Sequence, residues 1–232
     1  VRMNIVPIMM DESGAIVESN LLMKITKEQY AEDILSGKLY MNSLRYFREL
    51  EQEGVGDEQE GALCIGATGD LLYKGQIIAK VKNLRAYYDF PVFCALSVPL
   101  NQVGESDYAF LIPQKMLREF MYDRTSKYTA VLINRCDFEE RLEKALVQYK
   151  IMGCLGKVQY SDKIIPYSSE EKLKVAFCKR KKFAYQNEWR IALDFPVEDR
   201  FVLDVGDISD IACKVPIDNS EQEMKIEVHF HA

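Results

Sequence analysis

The run Phe183-Ala-Tyr-Gln-Asn-Glu-Trp-Arg-Ile-Ala-Leu-Asp-Phe195 constrains the fold more than any other stretch of this chain. Phe183, Tyr185, Trp189, Ile191, Leu193 and Phe195 hold alternate positions, and only Asn187 interrupts the series. Side chains alternate faces along a strand, so the pattern predicts one strand with a core-facing side. The opposite side carries Gln186, Glu188, Arg190 and Asp194. Two readings of that side stand open. An antiparallel strand with one face in water simply solvates its charges. Alternatively, Gln186 and Glu188 form a Gln-x-Glu pair, in which the carboxylate stabilises a cation or orients a hydroxyl while the amide reads the substrate.

The remaining sequence narrows the class of protein. Its 232 residues, 48% of them hydrophobic, suit one sizeable domain with a proper core. No apolar run approaches the roughly 18 residues of a membrane span, so no membrane partner is expected. Val1–Met10 is followed at once by Asp11 and Glu12 and is too short for a signal peptide. Cys64, Cys94, Cys136, Cys154, Cys178 and Cys213 are dispersed without a Cys-x-x-Cys pair. They predict buried free thiols in a reducing, cytoplasmic compartment. His229 and His231 are the only histidines, which argues against a zinc site and against a His-dependent nucleophile. A net charge of −6 argues against a protein coated in nucleic acid, yet Lys172, Lys174 and Lys179-Arg-Lys-Lys182 form a basic stretch before the informative strand.

The N-terminal half reads as alternating short elements. Leu21–Thr26 is a strand, with Thr26 as helix N-cap and Gln29 completing a capping box. Tyr30, Ala31, Ile34 and Leu35 share a helical face, Gly37 suits the left-handed stop, and Lys38–Asn42 is extended again. Glu51–Gly61 is a glycine-rich acidic loop, a lid or an ordinary surface loop, without the ligand spacing of a calcium loop. Leu63–Ala67 and Gly75–Val81 predict a hairpin around Gly69-Asp70. The nearly continuous apolar run Pro91–Val98 is a central strand with Ser97 as its lone polar side chain. Further strands are expected at Tyr108–Pro113, Ala130–Ile133, Lys157–Tyr160, Phe201–Asp204, Ile211–Ile217 and Met224–Phe230. Helices are expected at Gln114–Tyr122, Phe138–Met152 and Glu170–Phe177. The whole chain, 1–232, reads as one α+β domain with a mainly antiparallel, split sheet and short flanking helices.

Two blocks carry a resemblance. Leu22–Leu39, a strand leading to a short helix and a glycine stop, resembles the opening of ADP-ribosyltransferase-like folds. Gln186-Asn-Glu188 resembles their Gln-x-Glu catalytic strand, and Ser97 their serine-centred middle motif. Lys38–Phe47, Gly56-Asp-x-x-Glu-Gly61 and Glu188-Trp-Arg190 also resemble a poorly characterised family from phage and bacterial defence loci. The resemblance implies an ADP-ribosyltransferase that uses NAD as substrate and needs no metal. Glu188 and Gln186 would be catalytic. Lys24, Thr26, Arg45, Tyr46, Phe47 and Ser97 would bind NAD, with Lys24 standing where the family carries Arg or His. Lys179, Arg180, Lys181 and Lys182 would meet the target, a macromolecular acceptor such as RNA or DNA, or an acidic protein surface. An antitoxin or inhibitor protein is a further expected partner. Two other readings are kept: a non-catalytic interaction protein of such defence systems, and a magnesium-dependent nuclease built on Asp57, Glu60 and Glu188.

Overall fold

A computed structural model describes residues 17–50, 56–102, 107–121, 123, 125–162, 172–217 and 223–229. Its elements in chain order begin with β1 (Val17–Lys27), α1 (Ala31–Leu35), β2 (Lys38–Ser43), α2 (Leu44–Glu49), β3 (Ala62–Tyr73) and β4 (Gln76–Tyr87). Then come β5 (Pro91–Gln102), β6 (Asp107–Pro113), α3 (Gln114–Phe120), β7 (Tyr128–Asn134) and α4 (Arg135–Tyr149). The last are β8 (Gly153–Lys157), β9 (Gln159–Tyr160), β10 (Cys178–Lys179), β11 (Glu188–Leu193), β12 (Arg200–Asp204), β13 (Ala212–Pro216) and β14 (Glu223–His229). Short 3-10 segments lie at Glu28–Tyr30, Lys172–Phe177 and Lys181–Gln186. The architecture is α+β and mostly antiparallel, with β9 and β10 forming a parallel pair.

Strand β5 is the hub of the large sheet. Along one edge its Val92 and Pro91 pair with β2, and its Leu96 to Leu100 region pairs with β1. Along the other edge it pairs with β11 from Val92 to Leu96 and with β6 at Asn101 and Gln102. Phe93, Cys94 and Ala95 therefore have no strand beside them on the β1/β2 edge. The sheet is split there.

Both faces of the sheet are covered. On one, Leu22, Phe93, Trp189, Ile191 and Leu193 pack with Phe138 and Leu142 of α4 and with Ala31 and Ile34 of α1. On the other, Met23, Leu96, Phe110 and Ile112 pack with Met116 and Leu117 of α3, while Val92 and Ala192 meet Leu44, Val175 and Ala176. Burying these side chains contributes about 1.5–3 kcal/mol for each large one, which fixes β5 and β11 as the rigid floor of whatever lies above them.

Several sequence expectations need correction. The strand predicted from Phe183 begins only at Glu188: Phe183 to Gln186 form a 3-10 turn, and Asn187 adopts the left-handed conformation at φ 42°. Neither face of β11 is wet, because all six of its residues are buried. The β3–β4 turn is at Lys74-Gly75, both with positive φ, as a two-residue hairpin connection requires, and Gly69-Asp70 lies within the strand. Thr26 is not a cap; it stays in β1, paired with Thr129. Five cysteines depart from the expected burial: Cys136 and Cys154 are exposed, and Cys94, Cys178 and Cys213 are half-buried free thiols. The helices at 114–122, 138–152 and 170–177 are shifted or shortened, the last being 3-10. His231 and residues 51–55 lie outside the described residues.

Candidate functional site

The split in the sheet opens a cleft of about 720 Å³, within the range of small-molecule sites. Lys24 to Lys27 of β1 form one wall, Lys38, Tyr40 and Asn42 of β2 another, and Phe93 to Leu96 of β5 the floor. Tyr46, Phe47 and Leu50 close it from α2, and Lys179, Glu188 and Arg200 reach it from the C-terminal half. A strand edge left open exposes unpaired carbonyls. Lys24 answers this: its Nζ donates to the Cys94 carbonyl at 2.7 Å and lies 4.9 Å from the centre of the Phe93 ring. Burial lowers the Lys24 pKa, against the pull of Cys94 and Glu188. Lys24 thus bridges the two halves of the split rather than standing as an open cation.

Beneath the cleft lies a buried ion-pair network. Glu188 lies at the start of β11, where its backbone N–H donates to the Tyr160 hydroxyl at 2.8 Å. Lys179 of β10 donates to Glu188 Oε1 and, at 2.7 Å, to Gln186 Oε1. Arg190 Nε donates to Glu188 Oε2 at 2.8 Å, and its Nη2 lies 2.7 Å from the same oxygen. Arg190 Nη1 donates to Glu60 and, at 2.6 Å, to the Ala176 carbonyl. Glu60 and Arg190 are each 0% exposed. Burial on its own would raise the Glu188 pKa, but Arg190 and Lys179 override it and bring it down to about 2. For Glu60 burial wins over the same two cations, so its pKa is raised. Glu188 is held ionised by these cations. Arg190 is held still more firmly protonated, since Glu188 and Glu60 outweigh its burial.

The described part of the acidic glycine loop, Gly56 to Gly61, is tied into this network. Asp57 and Glu60 are buried. Asp57 accepts from the Arg180 backbone N–H at 2.9 Å and from Arg180 Nε at 2.5 Å, while Arg180 Nη1 reaches Glu58 at 3.0 Å. Arg48 donates to the Glu60 carbonyl at 2.8 Å and pairs with Asp89, which Arg45 also meets at 3.0 Å.

The structure gathers Lys24, Thr26, Tyr46, Phe47, Lys179 and Glu188 around one cleft. It leaves Arg45 exposed on Asp89, away from the cleft lining. Ser97 is buried, its backbone N–H donating to the Asn187 carbonyl, and does not line the cleft. Gln186 is also buried beneath it, with its side-chain oxygen turned to Lys179. Of the basic run, Lys179 is inside the network and Arg180 is tied to Asp57, so Lys181 and Lys182 alone are exposed. Asp57, Glu60 and Glu188, the carboxylates of the nuclease reading, are each matched to an Arg or Lys, and no group of three metal-binding side chains converges among the described residues. Tyr160, Tyr40 and Arg200 were not anticipated; no local pattern marks a tyrosine that serves a strand 28 residues away. No protein-family model, curated protein or solved structure matches this chain.

Proposed function

We propose that this protein binds NAD in the cleft, cleaves its nicotinamide–ribose bond and transfers the ADP-ribose to a macromolecular acceptor. The observation that carries this reading is Glu188: a carboxylate kept ionised by Arg190 and Lys179 in the wall of a cleft lined with aromatic rings and cations. A carboxylate offers about four acceptor positions. Lys179 on Oε1 and Arg190 Nε on Oε2 occupy two, which leaves a position on Oε1 for a ribose hydroxyl. Departure of nicotinamide leaves a ribose with oxocarbenium character, and a pre-ionised carboxylate at its hydroxyl stabilises that charge without reorganising. Tyr40, Tyr46 and Phe47 supply faces for flat rings. Lys27, Lys38 and Arg200 supply positive charge for the pyrophosphate.

A second reading is favoured by Gln186, whose oxygen serves Lys179 instead of the cleft. In that reading the cleft holds a nucleotide without cleaving it, and the network is purely structural.

Nicotinamide release and transfer of labelled ADP-ribose to cell extract separate the two. Wild type is expected to release nicotinamide, Glu188→Gln to lose this by at least about a hundredfold, and Arg200→Gln, on the exposed rim, to raise KM with little change in stability. NAD binding by folded wild-type protein without any turnover would overturn the transferase and leave the binding protein.

A further inference from the structure

The hairpin of β3 and β4 is a separate two-stranded sheet, and among the described residues neither outer edge pairs with another strand. Its root is anchored, with Ala62 and Leu63 buried and Leu63 packed with Leu44, Phe90 and Val92. Its far end is not. Leu71, Leu72, Tyr73, Ile77 and Ile78 are between 49% and 61% exposed. An isolated hairpin is marginal in water, and this concentration of exposed apolar side chains, Leu72 with Ile77 on one face and Leu71 with Tyr73 on the other, marks a contact site. Charge indicates the partner. Between Ala62 and Tyr87, Lys74, Lys80, Lys82 and Arg85 stand against Asp70 alone, in a chain whose net charge is −6. All four cations are exposed; Lys80 stands across the strands from Asp70, while Lys82 and Arg85 have no acidic partner among the described residues.

We propose that this hairpin is an arm that binds double-stranded DNA by entering the major groove. A two-stranded ribbon has the width of that groove, lysines along its length neutralise phosphates, and aliphatic side chains at its tip meet thymine methyl groups and base edges. Leu72 faces Ile77 across the strands, so the two present one apolar contact. A bilayer fits less well: Lys74 leads the tip, and both ribbon edges carry unpaired backbone groups that hydrocarbon would strand. A second copy fits less well too, because matching hairpins would bring lysines against lysines. The arm is independent of the NAD reading, since binding needs neither NAD nor Glu188.

The test is fluorescence anisotropy without NAD, on a labelled DNA duplex of about 30 base pairs, across a salt series. Wild type is expected to bind with a log–log salt slope of roughly −3 to −4, matching four phosphate contacts. Lys80→Gln with Lys82→Gln should flatten that slope by about 2. Leu72→Ser with Ile77→Ser should weaken binding several-fold at every salt concentration and leave the slope unchanged. These positions are exposed, so circular dichroism and melting should match wild type. Glu188→Gln should bind normally.

Absence of duplex binding would overturn the proposal, as would an unchanged slope in the lysine variant. Equal affinity for an RNA duplex, whose major groove is too narrow to enter, would overturn the groove assignment. Preference for vesicles containing about 30% phosphatidylserine, or self-association abolished by the Leu72/Ile77 variant, would replace DNA with an anionic membrane or a second copy respectively.

Discussion

Arg190 shows what a single buried charge demands. It holds Glu188 with one side of its guanidinium and Glu60 with the other, and no water reaches it. Removing it strands two carboxylates, so Arg190→Met is expected to cost about 3–5 kcal/mol in urea unfolding. Lys179→Met acts differently, because Arg190 still compensates Glu188. Its expected signature is a pH profile. Loss of a neighbouring cation raises the Glu188 pKa above about 2, so the acid limb of the proposed NAD cleavage moves to higher pH. An unmoved limb would mean that Lys179 does not tune Glu188. The sequence singled out Gln186, Glu188 and Arg190, yet their surroundings were not legible in it. Alternation along a strand shows which side chains share a face, not whether that face is wet. Here Glu60, 130 residues from Arg190, supplies the second carboxylate.

At the scale of elements, local chemistry was legible and register was not. Gly37 was expected in the left-handed region and has φ 86°, where a Cβ would run into the backbone of Gly206. Gly37→Ala should therefore lower stability by about 2 kcal/mol or more, measured by denaturant midpoint. Gly69→Ala is the control: no atom lies within 4 Å of its Cβ position, and the change should stay within roughly 0.5 kcal/mol of wild type. The strand predicted over 183–195 failed in its first half for a specific reason. A 3-10 turn ending in the left-handed Asn187 also buries Phe183 and Gln186, so aromatic alternation persisted without extended backbone. The hairpin turn was misplaced because Gly69 and Gly75 are both plausible turn residues, and only pairing across the whole ribbon distinguishes them.

For the molecule as a whole, the network writes itself into acid stability. Glu188 has a folded pKa below its ordinary 4.5, so its contribution is complete above pH 4.5 and is lost as pH falls toward about 2. Glu60, raised above 4.5 by burial, has the opposite sign and loses its contribution as pH climbs through its folded value. Urea midpoints measured from about pH 5 to 2 should fall more steeply in wild type than in Glu188→Gln; parallel curves would show that Glu188 is not held ionised. The α+β class and the antiparallel bias were legible, because strand-length apolar runs outnumber helical ones. Where the expected split would fall was not, since it arises from β1 and β2 sharing one edge of β5. That shared strand has a consequence during synthesis. Two of its edge partners emerge before β5 itself, but β11 follows only after a further 86 residues of chain, from Gln102 to Glu188. Until then the growing polypeptide carries an open β5 edge and lacks Glu188, so a product interrupted before β11 has an incomplete cleft and is prone to aggregate. Assembly of the cleft and arrival of its key carboxylate are one event, late on the ribosome.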